Sequence, residues 1–222
     1  MSDTTPVKFA YSFVEYRGVF AEPIFAAFGK RDWALVRAIY LALQKWGLTL
    51  DQIVLRQNVS TVSDIQISFN LPRLGVAVQL SMGNITLTMA NPDWSRAAEL
   101  VEVSTAAIEG AKNGAESGLQ SQQLSLAMHL TPKGKTPKEI SSRYVSVHEV
   151  PTDLLGQVKG LGFSVYGDNS ALVVDPSSLY ADALFVRITR THGGQVTMAE
   201  MAKFLENDEK QAFALLGIHE DA

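Results

Sequence analysis

The sequence predicts an α+β fold: a largely antiparallel sheet with helices packed on one face. Three observations carry that expectation. Strand-like runs follow one another without intervening helices, the order of hairpin-connected strands rather than of alternating βα units. Several runs alternate apolar and polar residues with a period of two, as half-buried strands do. Other segments space apolar residues by three and four, as helices do. With 222 residues, 46% of them hydrophobic and 19% charged, the chain can bury a substantial core. Residues 1–222 are therefore expected to form one domain. The stretch Thr131–Ser142 (TPKGKTPKEISS), with two Pro, a Gly and three Lys, is the place for an internal boundary.

Val7–Val19, rich in Phe, Tyr and Val, reads as a strand. Glu22-Pro23 then opens a helix, with Pro in the first turn. Its apolar residues Ile24, Phe25, Phe28, Leu35, Ile39 and Leu43 fall on one face, Gly29 divides it, and Gly47 ends it as a C-cap. Ile53–Val59 and Ile65–Leu71 are strands. The second points Ile65, Ile67, Phe69 and Leu71 one way and Gln66, Ser68 and Asn70 the other. Pro72–Gly75 turns the chain into VAVQLSMGNITLTM, two alternating runs around Gly83-Asn84. That dipeptide predicts a two-residue hairpin pairing Met82 with Ile85, Leu80 with Leu87 and Val78 with Met89. Asp93 is an N-cap for a helix over Trp94–Lys112, stopped by Asn113-Gly114. Leu124, Leu126, Met128 and Leu130 alternate in the next strand. Strands follow at Tyr144–Val147, Gly162–Tyr166, Ala171–Val174 and Ala183–Arg190. Thr197-Met198-Ala199-Glu200 is a capping box that opens a helix over Met198–Leu205. A second begins at Asp208 and ends near Leu216, and His219–Ala222 is read as a frayed tail.

This order resembles that of a sporadically distributed, uncharacterised bacterial family. The residues that carry the resemblance are Val78-Gln79-Leu80, Ile85–Met89, Asp93-Trp94, Leu124–Leu130 and Gly162–Arg190. It implies an N-terminal strand and helix, a run of strands, a helix that starts near a Trp, a later hairpin and C-terminal helices. It implies no activity. The order is also similar to the helix-grip fold of ligand-binding proteins, which would imply a cavity.

Composition excludes several functions. The chain has no cysteine, so disulfides, thiolate catalysis and cysteine-held metal sites are out. Its formal net charge is −4 and its isoelectric point near 5.6, a poor match for nucleic acid or anionic membranes. No basic flank precedes an apolar run at the N-terminus, and no run has the length of a membrane span. A soluble, cytoplasmic protein with neither nucleic-acid nor membrane partner is the expectation.

No motif assigns chemistry. Lys133-Gly134-Lys135-Thr136 has the ending of a phosphate loop. His129 occupies the place of its first glycine, and Pro137 stops the helix that should follow. Gly160-Leu161-Gly162 lacks the third glycine of a dinucleotide fingerprint. His129, His148, His192 and His219 form no helical pair for a metal. No catalytic residue, metal ligand or cofactor is assigned. Trp33, Trp46 and Trp94 are expected in the core.

The remaining signal is a distribution. No lysine lies between Lys45 and Lys112, and acids are absent between Asp64 and Asp93. Exposed strands normally carry charges that block edge pairing. Here Gln66, Ser68, Asn70, Ala77, Gln79, Ser81, Thr86, Thr88, Ser125, Ala127 and His129 could make one uncharged polar sheet face. Such a face suits an interface core, where charge is depleted. Gln79, Ser81, Thr86, Thr88 and His129 are the ligand or interface candidates. The leading expectation is a non-catalytic interaction or assembly protein, a homo-oligomer or one with a protein partner. The alternatives are a small-molecule binder with a helix-grip-like cavity, or an enzyme whose composite site uses His129 or His148.

Overall fold

The structure, a computed structural model, describes residues 4–24, 33–56, 65–145 and 161–221. Within them lie ten strands, mostly antiparallel, and four α-helices. In chain order these are β1 (Thr5–Phe20), α1 (Ala34–Leu43), β2 (Ile53–Arg56), β3 (Gln66–Leu71), β4 (Val76–Leu80), β5 (Asn84–Ala90) and α2 (Ala97–Ala115). Then come β6 (Leu119–Pro132), α3 (Pro137–Ser141), β7 (Phe163–Tyr166), β8 (Ser170–Pro176), β9 (Leu184–Gly193), α4 (Met198–Leu216) and β10 (Ile218–Glu220). The α+β expectation stands. The chain divides into two compact units, each assembled from separated stretches of sequence. The first comprises 1–12, 125–190 and 204–222, the second 13–124 and 191–203. Strands β1, β6 and β9 and helix α4 contribute residues to both.

In the second unit, β2-β3-β4-β5-β1 form an antiparallel ladder. The alternation visible in sequence sets its inner face: Ile67, Phe69, Val78, Leu80, Ile85, Leu87 and Tyr16 are each at most 1% exposed. Each such apolar side chain stabilises the unit by roughly 1.5–3 kcal/mol. Leu35, Ile39 and Leu43 of α1 are buried as their spacing predicts. Helix α1 packs on α2 through small residues. Gly110 meets Ile39, Ala38 and Ala42, and Gly114 meets Leu35 and Ala38. Gly114 is thus a packing residue. The helix runs past it to Ala115 and is closed by Glu116 in the left-handed region.

Three local readings change. Glu22–Ile24 are not helical, and α1 spans Ala34–Leu43. Ile24 instead donates its backbone N–H to the Met82 carbonyl at 2.8 Å, as Phe20 does to Gly83 at 3.0 Å. The β4–β5 hairpin forms, but Leu80 pairs with Ile85, Val78 with Leu87 and Val76 with Met89. The turn is centred on Met82-Gly83, because Ser81 closes it. The Ser81 hydroxyl accepts from Asn84 N at 3.2 Å, and Ser81 N donates to the Asn84 carbonyl at 2.9 Å. This moves each partner by two residues, which keeps every apolar pair on the inner face. Trp33 and Trp94 are each 48% exposed, so neither is a core anchor. Trp33 has left-handed backbone at the start of α1. Trp94 lies in a single 3₁₀ turn capped by Asp93.

In the first unit, β7, β8 and β9 form an antiparallel ladder whose inner residues Val174, Val186 and Ile188 are buried. The tail is ordered: β10 pairs in parallel with the start of β1, Ile218 opposite Thr5. Lys133 forms an ion pair with Asp221. Thr131–Ser142 lies in this unit as the end of β6, a short loop and α3. The expected break near Asp208 is absent. Asp208 lies inside α4, where its carboxylate accepts from Arg190 Nε and Nη2, both at 2.6 Å. Tyr144 and Val145 form no strand. Phe25, Phe28, Gly29, Val59, Ser146, Val147 and His148 lie outside the described residues.

The capping box at the start of α4 is present. Thr197 N and Oγ1 donate to Glu200 Oε2 at 2.9 and 2.8 Å, and Glu200 N donates to Thr197 Oγ1 at 3.3 Å. Thr197→Ala is expected to lower stability by about 1 kcal/mol and Thr197→Ser to leave it nearly unchanged, measured by urea unfolding. Equal loss in both variants would contradict a role for the hydroxyl.

Candidate functional site

Residues directly opposite in an antiparallel ladder share a face, so the registers of the second unit give its outer face row by row. One row crosses five strands: Val54, Ser68, Gln79, Thr86 and Arg17. A second crosses four: Asn70, Ala77, Thr88 and Glu15. Arg56 stands opposite Gln66 at the β2 end. With strands about 4.8 Å apart, the row from β2 to β1 spans roughly 19 Å. Gln79, Arg17 and Arg56 are exposed, and Ala77, Thr86 and Thr88 are half-buried.

Four of the five candidates, Gln79, Ser81, Thr86 and Thr88, therefore lie in one unit. Gln79 and Thr86 are direct cross-strand neighbours, and Ser81 is committed to the hairpin turn. The face is not charge-free. Strand β1 completes it and brings Glu15 and Arg17, while Arg56 borders its other side. These residues could not be assigned to the face from sequence, because β1 and β5 are some seventy positions apart and only their pairing puts Arg17 beside Thr86.

The opposite, inner face is held by a buried polar network. The Tyr16 hydroxyl donates to Gln122 Oε1 at 2.8 Å. The Gln122 amide donates to the carbonyls of Gly193 at 3.1 Å and Val196 at 2.8 Å. Burial, and then the nearby Glu109 carboxylate, push the Tyr16 phenol well above its ordinary range. Every polar atom of the Gln122 side chain is thus used in holding the unit together. A small cavity of about 120 Å³ beside it is lined by Ile108, Glu109, Lys112, Leu119 and Met198 among others.

His129 belongs to the first unit and is 6% exposed. Its Nδ1 lies 2.8 Å from Ser177 Oγ. Tyr11, Tyr180 and Phe185 surround its ring at 6.0, 5.4 and 5.2 Å between centroids. Burial holds its pKa below the ordinary histidine value. Ser125, expected beside it on a polar face, is buried, with its hydroxyl 3.0 Å from that of Thr189. The face inferred from sequence is thus divided between the two units. Lys133–Thr136 makes no phosphate loop, since Thr136 forms a capping box with Glu139 at the start of α3. Among the described residues, no three His, Asp or Glu side chains cluster to hold a metal, and no helix is long and apolar enough to cross a membrane.

No family model and no curated protein matches the chain. Among solved structures, it is similar to a rolling circle replication initiator protein from Geobacillus stearothermophilus. Identity is 10%, over 91% of this chain and 80% of that one, with a TM-score of 0.39. Two expectations are corrected against this comparison. The first is the non-catalytic interaction or assembly protein, together with the helix-grip binder and the histidine-based enzyme offered as alternatives. The second is the exclusion of nucleic acid from the partners. The matched protein is a replication initiator. The exclusion rested on a net charge of −4, a sum over the whole chain that does not report where two arginines lie.

Proposed function

We propose that the second unit binds single-stranded nucleic acid across its outer sheet face. The observation that carries this reading is the five-strand row itself. Uncharged Gln79 and Thr86, with Ser68 buried beside them, run between Arg17 at one end and the neighbourhood of Arg56 at the other. Amide and hydroxyl side chains can donate to and accept from base edges, and arginines contact phosphates. Thr88 and Asn70 extend the same surface by one row. Phe13, opposite Ala90 and on the same side of β1 as Glu15 and Arg17, offers a ring for base stacking. These side chains are short and spread over a sheet. They suit splayed, unpaired bases better than the floor of a duplex groove. Glu15 opposes part of the arginine charge, so the affinity expected is modest, roughly micromolar at low salt.

Fluorescence anisotropy with a labelled mixed-sequence oligonucleotide tests the reading. Arg17→Glu is expected to weaken binding about tenfold and to reduce the slope of log affinity against log salt by about 0.7 for each phosphate no longer neutralised. Thr86→Arg, next to Arg17, is expected to strengthen it. Absence of binding at low salt, or binding indifferent to Arg17→Glu and Arg56→Glu, would overturn the proposal.

A further inference from the structure

The loop of the first unit that joins β8 to β9 is fastened at its base by Ser177, whose N–H donates to the Ala183 carbonyl at 2.8 Å. The Ser177 hydroxyl oxygen accepts two backbone bonds, from Leu179 N at 3.2 Å and Tyr180 N at 3.0 Å. A hydroxyl has two lone pairs and one hydrogen. With both lone pairs engaged, what remains for His129 Nδ1, at 2.8 Å, is the hydrogen. Nδ1 must therefore accept, which fixes the imidazole as neutral with its proton on Nε2. The same ring packs edge-on against Tyr180. His129 thus holds the loop twice, through the side chain that caps it and through an aromatic residue within it.

We propose that His129 and Ser177 form an acid-sensitive latch that keeps the 177–183 loop closed when the imidazole is neutral and releases it when the imidazole is protonated. An imidazolium presents N–H at Nδ1. Ser177 would then face three donors with two lone pairs, so at least one of the bonds to Leu179, Tyr180 or His129 is broken. The groups facing the ring from the packed elements are Tyr11 of β1, Tyr180 and Ser177 of the loop, and Phe185 of β9. Burial lowers the basicity of the imidazole. Ring contacts with a cation are favourable at short range, but they act on the ring as a whole and leave the donor conflict at Nδ1 in place. The loop walls an open cleft of about 650 Å³ bordered by Lys138, Tyr180 and Asp182, so release changes access to it. Because the folded-state pKa is lowered, the latch is complete above the unfolded value near 6.5 and is lost as pH falls through the folded one.

The test is a pH titration of the full chain by nuclear magnetic resonance, following the His129 ring nitrogens and the backbone amides of Leu179 and Tyr180. The expected result is a His129 midpoint below the ordinary value of about 6.5, with both amides moving at the same midpoint. His129→Asn, whose amide oxygen can still accept from Ser177 but does not titrate, is expected to abolish the amide response. Ser177→Ala is expected to raise the His129 midpoint. Amides that do not follow His129, or a response that persists in His129→Asn, would overturn the latch. The wild-type titration decides the matter even if a variant fails to fold.

Discussion

Gln122→Leu is expected to lower stability by about 3–5 kcal/mol, a large share of the total that holds a domain folded. The residue is 3% exposed and makes three hydrogen bonds to groups that are separated from it in sequence by up to 106 positions. Leucine fills a similar volume but leaves the Tyr16 hydroxyl and the Val196 carbonyl without the partner each now has, and takes one of two partners from the Gly193 carbonyl. An orphaned buried group costs about 1–3 kcal/mol. Tyr16→Phe alone is expected to cost about 1 kcal/mol. The double variant is expected to cost about 1–2 kcal/mol less than the sum, because it removes the hydroxyl that Gln122→Leu strands. Urea unfolding of the four proteins measures the cycle. Strict additivity, or a loss under about 1 kcal/mol for Gln122→Leu, would contradict the network.

Gly114→Val is expected to cost about 3 kcal/mol. A Cβ at this position would stand 2.8 Å from Leu35 Cα and 3.0 Å from Ala38 Cβ. The first of these is backbone, so relief requires α1 to move away from α2. Overpacking of this kind costs about 1–3 kcal/mol and occasionally more, against a helix-propensity gain of roughly half a kcal/mol over glycine. At Gly110 the nearest approach is 3.1 Å, to the Ala42 side chain, so Gly110→Ala is expected to be milder. Thermal unfolding of the two variants ranks them. A Gly114→Val protein as stable as the parent would mean that the helices do not touch there.

Both positions show where sequence reasoning stops. The alternation of β4 and β5, the helical spacing of Leu35, Ile39 and Leu43 and the Thr197–Glu200 box are local patterns, and each is realised; in β3 the apolar face is realised too, but Ser68 between Ile67 and Phe69 is buried as well. Gln122 sits in a run of Gln and Ser whose pattern does not single out one residue. Its partners are set by which strands meet. Gly114 follows Asn113 and has the local signature of a helix stop. Its use is decided by a second helix more than seventy residues earlier. Asp208 follows Asn207 and resembles an N-cap, but its carboxylate is taken by Arg190 and the helix continues through it. The candidate site repeats the lesson. Gln79, Thr86 and Thr88 are legible as one face because their strands are consecutive. Arg17 is not, since its place depends on the distant pairing of β1 with β5. Alternation alone groups His129 with them, although it lies in the other unit.

The central claim concerns the outer face of the second unit, and chemical-shift mapping tests it most directly. Isotope-labelled protein would be titrated with a single-stranded oligonucleotide while its backbone amides are followed. Ser68, Gln79, Thr86, Thr88 and Arg17 are expected to shift together and saturate, while Ser177 and Val186 of the first unit stay still. A titration that leaves the outer-face amides unmoved, or moves only those of the first unit, would contradict the claim.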